Sequence, residues 1–295
     1  MSVSRRTFFK AGFKAGLGGA GGWLATLGAP ASASPAQDPH ATQAVVSPDP
    51  RQRLAIVNAD DLGKSEEIDR GIFEAHDRGI VTSASLLVDG PDAAAALRLA
   101  KQRPDLSVGI HVAFDDRGRW FINVQDPRAV RRELDRQLEA FVRLTGAPPT
   151  HIDSHHHAHR FFNVARHFLE AGARHGVPVR GFSEVFFVGR FWGQPEFGRT
   201  DMTKISAESL LALLRSLGPG VSEVSCHPGY LESRADAQYN REREVELRSL
   251  CDAKVKAAIA EEGIRLISFR EYGRMASRGG PGLAAGGCAP TAAGR

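Results

Sequence analysis

Apolar and β-branched positions gather in seven runs of five to nine residues: 53–58 (RLAIVN), 80–88 (IVTSASLLV), 107–113 (SVGIHVA), 150–154 (THIDS), 177–182 (VPVRGF), 221–226 (VSEVSC) and 264–269 (IRLISF). Between them, apolar residues recur at helical spacing over about 66–78, 91–102, 127–145, 161–175, 206–217 and 237–262. Strands that alternate with helices predict a parallel sheet, because parallel neighbours need a long crossover between them. Right-handed crossovers allow an open doubly wound sheet or a closed barrel. The number of units in one domain of this size favours an α/β fold, an irregular (β/α) barrel of about seven parallel strands, TIM-like.

The pattern changes at both ends of the 295-residue chain. Residues 1–33 carry Arg5-Arg6, a weakly apolar stretch from Ala11 to Ala29 and the small-residue site Ala31-Ser32-Ala33, the signature of a twin-arginine signal peptide. That stretch is rich in Gly and Ala and short for a spanning helix, so no stable membrane span is expected. Residues 34–52 read as a flexible leader and 277–295 as a disordered tail, which leaves 53–276 as one domain. The expected partner of residues 1–33 is the Tat export machinery, and the expected location is periplasmic or secreted.

Processing changes the charge argument. Arg5, Arg6, Lys10 and Lys14 are four of the 38 basic residues, so the remainder balances 34 acidic ones. No overall basic field is left to bind nucleic acid or an anionic membrane. Cys226, Cys251 and Cys288 show no C-x-x-C spacing and no dense disulfide framework. Nothing in the sequence sets an oligomeric state.

Potentially reactive side chains sit where the predicted strands end, as they do in barrels of this kind. Asp60 and Asp61 follow the first strand, His111 ends the third, HIDSHHHAH (151–159) ends the fourth and His227 follows the sixth. Adjacent aspartates on a strand point to opposite sides. A turn just beyond the strand, with Gly63 as its permissive residue, would bring both to one pocket. Taken alone, D-D-L-G equally suits a turn or a helix N-cap. One carboxylate with two histidines suits a metal site that keeps positions open for water. Read as a strand, 151–159 places Asp153, His155 and His157 on one face and His156 on the other, with His151 toward the core.

The motifs NADDLG (58–63), GIVTSASLLVDGP (79–91), VGIHV (108–112), PPTHIDSHHHAH (148–159) and CHPG (226–229) closely resemble the YdjC-like carbohydrate deacetylases, a family that includes chitooligosaccharide deacetylases and relatives associated with hopanoid synthesis. The resemblance spans about 53–272. It implies a divalent metal held by Asp61, His111 and His155, with Asp60 as catalytic base and His227 as proton donor. It implies hydrolysis of an N-acetyl group from an amino sugar, with an N-acetylated carbohydrate as substrate. Mg²⁺ and Zn²⁺ suit such a site, as do Co²⁺ and Ni²⁺. Two stretches depart from the family pattern: the segment after His111 is short, and 182–200 is unusually aromatic.

Other residues are candidates for supporting roles. Asp153 and His157 could orient a ligand, Arg180 could bind substrate or orient Asp60, and Trp192 with Phe186, Phe187 and Phe191 could form a sugar wall or simply pack the loop. Cys226 reads as a buried strand-end cysteine. Three rival functions use similar residues: a metal-dependent phosphoesterase, a non-haem iron oxygenase and a non-enzymatic periplasmic metal-binding protein.

Overall fold

The computed structural model describes residues 51–277, except 117–118, 197–198 and 234–238. The signal peptide, most of the 34–52 leader and the tail after Ser277 lie outside the described residues. The first strand, β1 (Arg53–Leu62), is buried from its second residue onward and is the hub of the sheet. It leads through α1 (Glu66–Asp77) to β2 (Ser83–Leu86), then through α2 (Ala93–Ala100) to β3 (Ser107–Val112). A two-stranded hairpin follows, β4 (Asp115–Asp116) with β5 (Arg119–Trp120), and then α3 (Pro127–Thr145). Next come β6 (Ile152–Ser154), α4 (Phe162–His175), β7 (Phe186–Val188), α5 (Ala207–Arg215) and β8 (Gly220–Cys226). The described chain closes with α6 (Asn240–Leu250), α7 (Ala253–Glu261), β9 (Ile264–Leu266) and α8 (Phe269–Ser277).

Seven strands form one parallel sheet in the order β6-β3-β2-β1-β8-β7, with β9 against the first residues of β1. The sheet curls into an incomplete barrel with helices outside it, the α/β class expected from the alternation. Three local expectations need correction. The 177–182 run contributes a single bridge, Val179 to Ile152, and the strand forms instead at β7, inside the aromatic stretch. The 237–262 helix is two helices, since Asp252 caps α7 with its side chain on Lys254 N. The histidine stretch is a strand only to Ser154; His155–Arg160 is a short 3-10 helix, with His156 and His157 at φ of 52° and 54°. Two-residue alternation therefore stops before His155.

Side chains alternate along β1 with opposite characters on its two faces. Ala55, Val57 and Ala59 join the large core between sheet and helices, while Leu54 and Ile56 join a second cluster with Val185, Ile267, Phe269 and Tyr272. Above that cluster the inner face turns polar. Asn58, Asp60, Ser85, Asp153 and Glu223 are all buried, and hydrogen bonds or ion pairs link them. Helix α8 closes the lower end: the N–H groups of Phe269 and Arg270 donate to the hydroxyls of Ser83 and Ser107, each at 3.1 Å. Those hydroxyls satisfy helix N–H groups that have no partner within the helix. Phe269 stacks on buried His151 at 3.9 Å between centroids, and Gly109 leaves room for that imidazole.

Helix α1 meets the loop after β8 through two glycines. A Cβ on Gly71 would lie 2.3 Å from the Gly229 Cα, so this approach fixes the loop that carries His227. Gly273, also helical, faces open space. Gly71→Ala is expected to lower stability by about 1–3 kcal/mol, because backbone must shift. Gly273→Ala should raise it by about 0.5–1 kcal/mol through helix propensity. Paired urea titrations read both signs, and equal stabilisation by the two alanines would exclude this packing.

Candidate active site

The aspartates are positioned within β1 itself. Its pairing with β2 shifts register between Ala59 and Leu62, and Asp61 takes a left-handed backbone, φ 72°. Such a conformation is uncommon for any residue but Gly, and Asp is among those that tolerate it. This reversal, and not a turn beyond the strand, brings Asp60 and Asp61 to one side. Gly63 continues the bend at φ 85°, and its N–H donates to Asp69 Oδ1 at 2.6 Å. Burial pushes the Asp69 carboxyl up to about 7.

Asp60 belongs to the polar interior. Arg180 grips it with both ends of the guanidinium, Nη1 to Oδ2 and Nη2 to Oδ1, each at 2.7 Å. The same arginine donates through Nε to Glu223 Oε1 at 2.8 Å and pairs with Asp153 Oδ2 at 2.8 Å. Its side chain is fully buried, which rules out a surface ion pair, and its grip on both carboxylate oxygens orients Asp60. Burial works against a charged Asp60, but Arg180 outweighs it and holds the carboxyl far below the usual carboxylate range. Burial pushes Glu223 up to about 7, against the pull of Arg180.

Asp61, His111 and His155 meet beside this cluster. Asp61 Oδ1 stands 3.1 Å from His155 Nδ1 and 3.6 Å from His111 Nε2, and the three donor atoms lie within 4.8 Å of one another. Donors bound to one ion at roughly 2.0–2.2 Å stand about 3.3 Å apart. Asp61 Oδ1 is buried and accepts no well-directed hydrogen bond. Its other oxygen is occupied by Arg243 Nη2 from α6, and by Lys64 Nζ at 3.4 Å. Burial opposes its charge too, while Lys64, Arg243 and His155 hold the carboxyl well below its ordinary value.

His111 is prepared for one face only. Its Nδ1 is 2.6 Å from Asp153 Oδ1, directly across the β3–β6 ladder, which leaves Nε2 toward Asp61. A carboxylate behind a histidine fixes its tautomer and raises its basicity as a ligand. Burial alone would lower the pKa of His111, but Asp153, Asp60 and Asp61 raise it. At His155, burial prevails and the imidazole is neutral more readily than usual. A buried carboxylate oxygen facing two histidine nitrogens fits a divalent cation.

His227 faces Asp60 from the end of β8, Nε2 to Oδ2 at 3.7 Å. Burial lowers its pKa to about 3. Glu246 from α6 accepts its backbone N–H and the Tyr239 hydroxyl, and stands 4.0 Å from its Nδ1. Burial pushes Glu246 up to about 8, against the hydrogen bonds from Tyr239 and the His227 N–H and the charge of Arg243. Trp192 stacks on Tyr239 at 3.9 Å, nearly parallel, and meets the His227 ring edge-on at 4.8 Å. It therefore walls the histidine. His157 is not in the three-donor group: it packs on Phe187 at 5.4 Å, and burial lowers its pKa to about 4. His156 pairs with Asp115 at 2.8 Å, and Cys226 is buried with Sγ toward Asn58 O.

Sequence reading missed Arg243, Glu246, Tyr239 and Glu223. One signal was present: Arg243 and Glu246 share a helical stripe with Leu247 and Leu250, so charges sit among apolar positions. An exposed helix would have kept them on the opposite side.

The sequence pattern of the family described as YdjC-like protein matches residues 54–261. A carbohydrate deacetylase of Geobacillus stearothermophilus is 34% identical over 255 residues, covering 76% of this chain and 99% of the relative. A chitooligosaccharide deacetylase of Serratia marcescens is 31% identical over 264 residues, covering 75% and 99%. A crystal structure from Enterococcus faecalis V583, described as a cellobiose-phosphate cleavage protein, has the same fold. Its TM-score is 0.65 at 25% identity, over 75% of this chain and 99% of that one.

Arg180→Met strands three carboxylates inside the barrel. It is expected to lower stability by about 3–5 kcal/mol, the cost of breaking a buried ion pair on one side. Arg180→Lys keeps the charge but loses the fork, and should fall between the two. Chemical denaturation of the three proteins checks this order; a wild-type midpoint for Arg180→Met would remove the cluster's structural role.

Proposed function

The chain belongs to the YdjC-like family, and we propose on that basis and from the site geometry that it is a metal-dependent hydrolase that removes an N-acetyl group from an amino sugar. The observation that carries the reading is the meeting of Asp61 Oδ1, His111 Nε2 and His155 Nδ1 beside the Asp60–His227 pair. Those three residues would hold one divalent cation, Zn²⁺ or Mg²⁺ first, with Co²⁺ and Ni²⁺ also suited to the donor set. When bound, such an ion supplies Lewis acidity, lowering the pKa of water and polarising the acetamide carbonyl.

The chain's own groups perform the proton transfers. Asp60 is ionised and fixed in orientation by Arg180, so it accepts a proton from the attacking water as that water becomes acidic. Its low proton affinity also makes it release that proton readily. His227, neutral at rest, stands with Nε2 3.7 Å from Asp60 Oδ2, so it takes up the proton that Asp60 received from water and passes it to the departing amine nitrogen. Glu246 and the Trp192–Tyr239 stack keep the imidazole facing the pocket. A two-metal phosphoesterase is disfavoured by the same geometry. The second acid and histidine group, Asp60, His111 and Asp153, is occupied by Arg180.

Acetate release from free N-acetylglucosamine, chitobiose and N-acetylated glycolipids tests the reading. Asp60→Asn should lower the rate about 10²–10⁴-fold while bound metal, measured by elemental analysis, stays near wild type. His155→Ala should lower metal content as well as rate. No acetate from any of these substrates would exclude deacetylation.

The reading includes export through the twin-arginine route, supported by Arg5-Arg6 and the Ala31-Ser32-Ala33 site. Replacing both arginines by lysine should retain the protein in the cytoplasm on cell fractionation. Unchanged export would rule that route out.

A further inference from the structure

Two segments lie just after the strands β3 and β6 that lead to His111 and His155, and each reads arginine, aromatic, aromatic: Arg119-Trp120-Phe121 and Arg160-Phe161-Phe162. The first is on the hairpin after β3, which carries His111. The second joins the end of the short helix that begins at His155 to the start of α4. The fold brings them together. Trp120 and Phe161 meet at 5.8 Å between centroids, and the Asn163 side chain donates to Val124 O.

Their exposure is unusual for a water-facing surface. Phe162 is 99% exposed and Phe121 60%, while Phe161 and Trp120 are more than one-third exposed. Arg119 and Arg160 are exposed as well, and neither makes an ion pair among the described residues. Other surface arginines are paired, as Arg103 is with Asp77, Arg136 with Asp89 and Arg174 with Asp135, while Arg128 and Arg132 are not. What sets the rim apart is two unpaired arginines beside exposed aromatic rings.

We propose that this rim docks the mouth of the site on an anionic lipid surface, so that the enzyme acts on amino sugars attached to lipid. The proposal rests on the deacetylase reading for the sugar, and on the rim alone for the docking. Exposed aromatic rings beside unpaired cations suit the boundary between headgroups and acyl chains. The arginines would meet lipid phosphates and the rings the outer methylenes. A sugar wall fits less well: such a wall uses a ring whose second face is packed, and Phe162 is open almost all round. A neutral glycan would also leave both guanidiniums without a partner.

The test uses the full chain with phosphatidylcholine vesicles, with and without phosphatidylglycerol, at about 0.1 M salt. Residues 1–33 are common to every variant, so differences between variants read the rim. Arg119→Gln with Arg160→Gln should weaken binding to the anionic vesicles about 25-fold, near fivefold per charge. Phe162→Ser should weaken it about tenfold or more. Acyl chains brominated near the headgroup should quench tryptophan fluorescence in the wild type, and Trp120→Phe should remove most of that quenching. Acetate release from a soluble N-acetylglucosamine oligomer should stay near wild type in all three variants.

Absence of Trp120 quenching on anionic vesicles overturns the proposal, because any binding then comes from residues outside the rim. Variants that retain vesicle binding but lose turnover of the soluble oligomer also overturn it, and make the rim a sugar subsite. Vesicle binding with rim-dependent quenching, but no acetate from any substrate, supports the docking surface and rejects the deacetylase reading.

Discussion

One buried guanidinium organises the interior of this barrel. Arg180 reaches carboxylates from three strands, Asp60 on β1, Asp153 on β6 and Glu223 on β8. Strands β6 and β8 are separated by three others in the ladder, and among the described residues no ladder joins β6 to β7. The arginine therefore spans by side-chain contacts an interior that the hydrogen-bonded sheet encloses incompletely. Removing charges from water is costly, and that cost is offset only when each charge has well-directed partners. Arg180 meets the condition with a planar fork against Asp60 and separate contacts to the other two acids. A lysine could not present that set of directions.

Filling a barrel with polar groups reverses the common arrangement, in which branched aliphatic side chains pack the interior. Here the outward faces of the strands are apolar, against the helices, and the inward faces are polar above the small apolar cluster of Leu54 and Ile56. Hydroxyls and amides on the inner face link the charges: the Asn58 amide donates to Asp60 and to the Ser85 hydroxyl, and Ser85 donates to Asp153. Ser83 and Ser107 are used by the end of α8, which seals the bottom. Such a network is stable only when its members are satisfied, and it then holds its side chains in one arrangement. That rigidity is what a reacting carboxylate needs.

At the upper end, neighbouring aspartates receive different partners. Arg180 grips both oxygens of Asp60, whereas Arg243 takes one oxygen of Asp61 and leaves the other facing His111 and His155. Asp153 serves two purposes, since one oxygen orients His111 and the other meets Arg180. The interior network and the three-donor group are thus one connected structure. A change in the barrel interior should be felt at His111 even without contact to any ligand.

The sequence by itself determined the strand–helix alternation and the position of the chemistry at strand ends, with Asp60, Asp61, His111, His227 and the histidine stretch 151–159 as candidates. Periodicity and residue type are local properties, so these were legible; the choice of His155 within the stretch rested on the family motifs. The period-two alternation in VNAD, SASL, SVGIHV and VSEVSC was legible as well, but not which face is inside. A polar strand face looks the same whether it meets water or a buried arginine. Asp61's reversed backbone, the end of β6 at Ser154 and the strand at β7 were decided by tertiary structure, through ladder partners far along the chain. Arg180 follows the bridge at Val179, and Arg243 and Glu246 lie on α6, all far along the chain from the residues they meet. The two arginines are buried against acids from the strands, and Glu246 against the His227 N–H and the Tyr239 hydroxyl; for the arginines, no window of sequence contains both halves of the pair.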